Sequence, residues 1–74
     1  MTGVVKSWNA TTGIGYIEPT DDPRRRNVFV HSSQLAGLPP GRGRFLLVGE
    51  RVDYVVEVRP DGPWATRVRV WQGR

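Results

Sequence analysis

The chain has 74 residues and no cysteine, and its 11 basic and seven acidic side chains give a net charge of +4. So short a chain supports one small core, and residues 1–74 are predicted to form a single domain. Disulfides and thiolate metal sites are excluded, and one histidine leaves no ligand cluster for a structural zinc. We therefore expect neither a metal nor another cofactor.

The sequence also bears on location and partners. No apolar run reaches the roughly 20 residues that a membrane-spanning helix needs, and the N-terminus lacks the layout of a signal peptide. A cytoplasmic monomer without a membrane partner or a small-molecule substrate is expected. The positive charge favours a polyanionic partner, without choosing among nucleic acid, anionic lipid and acidic protein.

Alternating apolar and polar residues predict five short strands. In chain order they cover residues 3–9, 14–18, 27–31, 50–58 and 66–71. Pro19 ends the second strand, because proline donates no hydrogen bond to a sheet. Ser32–Gln34 suits a single helical turn after the third strand, and residues 37–43 read as a loop. Pro60, Asp61 and Gly62 are typical of a tight turn before the last strand.

Each strand has one face predicted to point inward and one predicted to point outward. The inward residues are predicted to be Val5, Ser7, Gly15, Ile17, Val28, Val30, Val52, Tyr54, Val56, Val58, Val68 and Val70. The outward residues of the last strand are Arg67, Arg69 and Trp71. Short strands, turn signals and no long helix indicate an all-β sandwich or barrel. A barrel is favoured for so small a sheet, because closing the sheet removes the free edges that invite aggregation.

The outward face of the first three strands is rich in rings. It is predicted to carry Lys6, Trp8, Ile14, Tyr16, Phe29 and His31. Spaced aromatic side chains with cations nearby suit the stacking of unpaired bases and tolerate many base sequences. This face is therefore the predicted site of single-stranded nucleic-acid binding.

Four motifs in order resemble the cold-shock domain. They are Val5-Lys6-Ser7-Trp8-Asn9, Gly13-Ile14-Gly15-Tyr16-Ile17, Val28-Phe29-Val30-His31 and Gly62-Pro63-Trp64-Ala65. The resemblance implies a small five-stranded antiparallel OB-like barrel that binds single-stranded RNA or DNA with low sequence specificity and a preference for pyrimidines. It also implies a role as an RNA chaperone or a modulator of transcription or translation.

The resemblance assigns roles to individual positions. It implies base stacking by Trp8, Tyr16, Phe29 and His31, polar contacts by Lys6 and Asn9, and a loop aromatic contact by Phe45. Ile14, on the same outward face, and Trp64 are further candidates for nucleic-acid contact. The family carries aromatic residues where this chain has Ser7, Ile14 and Ser32, so three stacking positions are lost. Arg24, Arg25, Arg26 and Trp64 lie in loops that are predicted to border the same face, where they are candidates to compensate.

Other interpretations of these residues stay open. The aromatic side chains are compatible with a second core beneath the long loop, and Trp64 and Trp71 with lids over the barrel ends. The arginine run fits phosphate contact and equally a solvated loop. A small barrel that docks a peptide on its aromatic face is the alternative function. An enzyme is not expected, because no nucleophile with a base and no metal cage is evident.

Overall fold

The computed structural model describes residues 1–21 and 26–71, which form an all-β barrel. Its strands are β1 (Thr2–Asn9), β2 (Ile14–Pro19), β3 (Val28–His31), β4 (Leu35–Gly37), β5 (Arg51–Arg59) and β6 (Gly62–Val70), with a 3-10 turn at Ser32–Gln34. Five strands close a ring in the order β3-β2-β1-β5-β6 and back to β3, and the three-residue β4 lies beside β6. The predicted five-stranded OB-like barrel is confirmed.

Four strand pairs of the ring are antiparallel, and β3 closes it by pairing in parallel with β6. Most predicted strand limits agree within a residue. β6 differs, because it begins at Gly62 rather than Thr66 and so includes the whole fourth motif. The short β4, which pairs in parallel with β6, was not predicted. The 3-10 turn at Ser32–Gln34 is confirmed.

The core is aliphatic and lies inside the ring. Its buried residues are Val5, Ile17, Val28, Val30, Leu35, Leu46, Val52, Tyr54, Ala65, Val68 and Val70. Among the described residues no polar or charged side chain besides the Tyr54 phenol is buried with them. The alternation in β3 is as predicted, with Val28 and Val30 buried and Phe29 and His31 half-buried. Packing of these side chains is what holds so small a domain together.

A β-bulge in β1 changes which residues face inward. Val5 pairs with Ile17 and Ser7 with Tyr16, so Lys6 is an extra residue in β1. Such an insertion reverses the alternation that follows it. The prediction that Ser7 faces the core is wrong, because Ser7 is exposed and lies opposite the exposed Tyr16.

The predicted inward position of Val58 is also wrong. Its side chain is 84% exposed. Val58 lies beyond the core, where it lines an apolar groove together with Met1, Val28 and Val56. The alternation of β5 thus continues beyond the core, so the side chain of Val58 has no buried position to occupy.

A carboxylate and a guanidinium brace the long loop between β4 and β5. Arg42 donates from Nη1 and Nη2 to the two Glu50 oxygens at 2.8 and 2.7 Å, and the Leu47 amide donates to Glu50 at 2.8 Å. Both charged side chains are largely buried, at 14% and 17% exposed. Hydrogen bonding from Arg42 lowers the pKa of Glu50 below its ordinary value, against the opposing effect of partial burial.

No helix in the part of the chain that the structure describes is long and apolar enough to span a membrane. Of the arginine run, Arg24 and Arg25 lie outside the described residues. Arg26 is exposed and borders the apolar groove beside Val58.

We predict that Gly15→Ala destabilises the fold. A Cβ at Gly15 would overlap the Ser7 carbonyl oxygen and lie 2.7 Å from Trp8 Cε3. The cost should be about 2 kcal/mol, a fall in Tm of roughly 8–16 °C in thermal unfolding followed by circular dichroism. The matched control is Gly43→Ala, whose Cβ would meet nothing nearer than 3.8 Å and should leave Tm nearly unchanged. Equal Tm values for the two variants would contradict the close approach.

Glu50→Gln should lower stability at neutral pH and lose its effect in acid. Since the pKa of Glu50 is lowered in the folded state, its contribution is present above its ordinary pKa and is lost as pH falls through the folded value. We expect a cost of about 1–2 kcal/mol at pH 7 and a small difference near pH 3, measured by urea unfolding.

Glu18→Gln is the control for this measurement. Glu18 pairs with Lys6 at 3.6 Å, but both side chains are more than half exposed, and such pairs contribute little. A Glu50→Gln effect that is the same at both pH values would mean that the lost charge is not its cause.

Candidate nucleic-acid interface

One row of outward residues crosses the barrel from strand to strand. The register places Ser7 opposite Tyr16, Tyr16 opposite Phe29, Phe29 opposite Trp64, and Trp64 opposite Glu57. Residues directly opposite each other in neighbouring strands share a face, and the strands are about 4.8 Å apart. The row therefore brings three rings together on the outer surface.

We call Tyr16, Phe29 and Trp64 the aromatic cluster. The Tyr16 and Phe29 rings are edge to face, with centroids 5.8 Å apart and planes at 76°. Phe29 and Trp64 lie closer, with centroids 4.3 Å apart and planes at 58°. Tyr16 is 45% exposed, whereas the other two rings are half-buried against each other.

Charged residues of the β5–β6 hairpin fix the position of Trp64. The Arg59 guanidinium lies over its ring, 4.2 Å from the centroid, and is itself paired with Glu57. The Trp64 indole donates from Nε1 to Asp61 Oδ1 at 3.0 Å. Trp64 is thus held by a cation–π contact on its face and a hydrogen bond at its edge.

A second, shorter row lies beside the aromatic cluster. Ile14 is opposite both Asn9 and His31, so it shares their face as predicted for Ile14 and His31. His31 Nδ1 accepts from the Ser33 amide at 3.1 Å and lies 2.9 Å from the Ser33 hydroxyl. The His31 side chain thereby caps the start of the 3-10 turn. Asn9 Oδ1 accepts from the amides of Thr11 and Thr12. Both polar residues therefore stabilise turns at the edge of the surface.

Trp8 is not part of the aromatic cluster. It lies opposite the buried Gly15, is half-buried, and packs against the core. Its Nε1 is buried and has no hydrogen-bond partner among the described residues. The prediction that Trp8 shares a face with Tyr16 and Phe29 is wrong, because the bulge at Lys6 reverses the alternation. Its contact with nucleic acid stays a prediction.

The remaining candidates are spread around this surface. Lys6 is exposed and lies 3.6 Å from Glu18. Phe45 is in the loop braced by Glu50, is 37% exposed, and has the Arg42 guanidinium 5.3 Å from its ring centroid. Trp71 lies on the Arg51 guanidinium, outside the row, at 54% exposure. Among the described residues, Arg59 and Asp61 are neighbours of the cluster that the sequence did not single out.

The arrangement provides aromatic surfaces and hydrogen-bonding groups. The described residues contain no group of three or more His, Asp or Glu side chains placed to hold a metal ion. Aromatic side chains side by side on the outer face of a barrel are the kind of surface on which unpaired bases stack.

The chain matches known proteins over nearly its whole length. Residues 1–71 match the family model described as the 'Cold-shock' DNA-binding domain. The chain is 38% identical over 68 residues to Cold shock-like protein CspB of Escherichia coli, an alignment covering 92% of this chain and 89% of that protein.

Two further relatives are similar over nearly their full length. Probable cold shock protein A of Mycolicibacterium smegmatis is 39% identical, with 90% of this chain and 92% of that protein covered. Cold shock protein CspV of Vibrio cholerae is 40% identical, with 92% and 90% covered. The chain therefore belongs to the cold-shock domain family, a family of nucleic-acid-binding domains.

Proposed function

We propose that this chain binds single-stranded RNA or DNA through the aromatic cluster, as a low-specificity RNA chaperone or modulator of transcription or translation. The observation that carries the proposal is the row from Tyr16 through Phe29 to Trp64, which sets three rings side by side on the outer surface. Each base stacked on such a ring contributes about 1–3 kcal/mol, as judged by alanine substitution.

Charge around the aromatic cluster supports stacking as the main source of affinity. Lys6 is paired with Glu18, and Arg59 with Glu57, so cations near the rings are partly neutralised. Binding that relies on few phosphate contacts weakens only modestly as salt increases. The partly neutralised cations therefore favour binding of the strand through stacking of its bases rather than through contacts to its phosphates.

A chaperone role follows from the same preference. A protein that binds unpaired bases but not a duplex shifts the equilibrium toward the unpaired strand by mass action. Stacking on the row suits every base, so this surface tolerates many sequences. We propose that the chain acts as a monomer in the cytoplasm, without a cofactor and without enzymatic activity.

The direct test is fluorescence anisotropy of labelled heptathymidylate, heptauridylate and a matched duplex. We expect both single strands to bind at least about tenfold more tightly than the duplex, because base faces are available only when unpaired. Phe29→Ala should weaken single-strand binding by about 1–3 kcal/mol. Equal binding of duplex and single strand would contradict stacking.

Trp71→Ala is the matched control, because it removes an exposed ring that lies on Arg51 and outside the row. It should leave the affinity unchanged. Thermal unfolding of Phe29→Ala tests the second-core alternative: a large fall in Tm with unaltered affinity would support that alternative over ours. Binding of a proline-rich peptide, with no binding of either oligonucleotide, would favour the peptide-docking module.

A further inference from the structure

A concavity of about 280 Å³ opens beside the aromatic cluster. It is lined by Tyr16, Asn27, Phe29, Asp61, Pro63 and Trp64. Its volume is just below the range of roughly 300–1,000 Å³ that is typical of small-ligand pockets. It suits one planar group that rests on the rings and meets polar atoms at its edge.

The polar edge includes the carboxylate of Asp61, an exposed residue whose side chain is hydrogen-bonded to Trp64. Asp61 lies in the turn between β5 and β6, where Arg59 is paired with Gly62 and Gly62 has a φ of 127°. Its Oδ1 accepts from the Trp64 indole at 3.0 Å. A carboxylate has four lone-pair sites on two oxygens, so this bond leaves it able to accept further hydrogen bonds.

The chemistry of a carboxylate distinguishes among the bases of RNA and DNA. Guanine presents two adjacent donors on its Watson–Crick edge, N1–H and the N2 amine, which match the two oxygens. Adenine and cytosine present one amine beside an unprotonated ring nitrogen. Thymine and uracil present one N–H between two carbonyl oxygens, which a carboxylate repels.

We infer that this concavity is a guanine subsite, in which Asp61 accepts from N1–H and the N2 amine while the base rests on the aromatic cluster. The inference depends on the proposed function, since it names the base that one position of the bound strand prefers. It differs from the pyrimidine preference that the family resemblance implies, and it arises from Trp64 and Asp61 together.

Asp61 also has a structural contact, and the test must separate the two roles. Asp61→Asn keeps an oxygen that can accept from the Trp64 indole, so Trp64 stays in place. The same change replaces one acceptor by an amine donor, which opposes the guanine edge and accommodates the carbonyl of thymine. The variant should therefore shift the base preference without unfolding the domain.

The experiment compares three heptanucleotides that differ at the central base: heptathymidylate, the same strand with one guanine, and the same strand with one inosine. For the unmodified chain we expect the guanine strand to bind about tenfold more tightly than heptathymidylate. Inosine, which lacks the N2 amine, should fall between them. In Asp61→Asn the preference for guanine should drop to about twofold or less, with Tm little changed.

Asp53→Asn is the control for charge. Asp53 is exposed on β5 opposite Thr2 and Arg69, away from the concavity, and its loss raises the net charge by the same amount. It should keep the full guanine preference. A preference that persists in Asp61→Asn, or falls equally in Asp53→Asn, would overturn the inference.

The outcomes also separate this inference from the proposed function. Equal binding of all three strands by the unmodified chain would refute the guanine subsite while leaving single-strand binding intact. Failure of all three strands to bind would refute both.

Discussion

The backbone pairing of β3 with β6, at Phe29 and Trp64, is the contact on which both the barrel and its surface depend. It joins β3 to β6 in parallel and so closes the ring of five strands. A closed ring leaves those strands without the free edges that invite aggregation. The same pairing places the two rings 4.3 Å apart on the outer surface. The candidate site thus lies on the outer surface of the barrel, where β3 and β6 pair to close it.

The division between core and surface depends on where each strand departs from regular alternation. The bulge at Lys6 turns Ser7 outward beside Tyr16 and brings Trp8 over Gly15. Without a side chain at Gly15, β1 and the indole approach closely enough to cover this part of the core. Aliphatic residues then fill the inside, and the outside is left to rings and charges, as a binding surface on a small barrel requires.

The sequence predicted the class of fold and the outward position of Tyr16 and Phe29, and its errors have physical causes. Period-two alternation placed Phe29 outward and Val28 inward, because β3 is regular. The same alternation gave the wrong face for Trp8, because the β-bulge at Lys6 cannot be recognised from the alternation of a single sequence. The family resemblance held the missing signal: a stacking position at Ser7 requires residue 7 to face outward. The contact of Arg59 with Trp64 was not predictable, because it depends on the geometry of the hairpin.

The central claim is that single-stranded nucleic acid lies on the aromatic cluster. The most direct measurement follows the three tryptophan indole N–H signals in two-dimensional NMR spectra during titration with heptathymidylate. We expect the largest change at the Trp64 indole, together with the backbone amides of Tyr16 and Phe29, and little change at the Trp71 indole. A Trp64 signal that does not move while Trp71 or the groove at Val58 responds would contradict it.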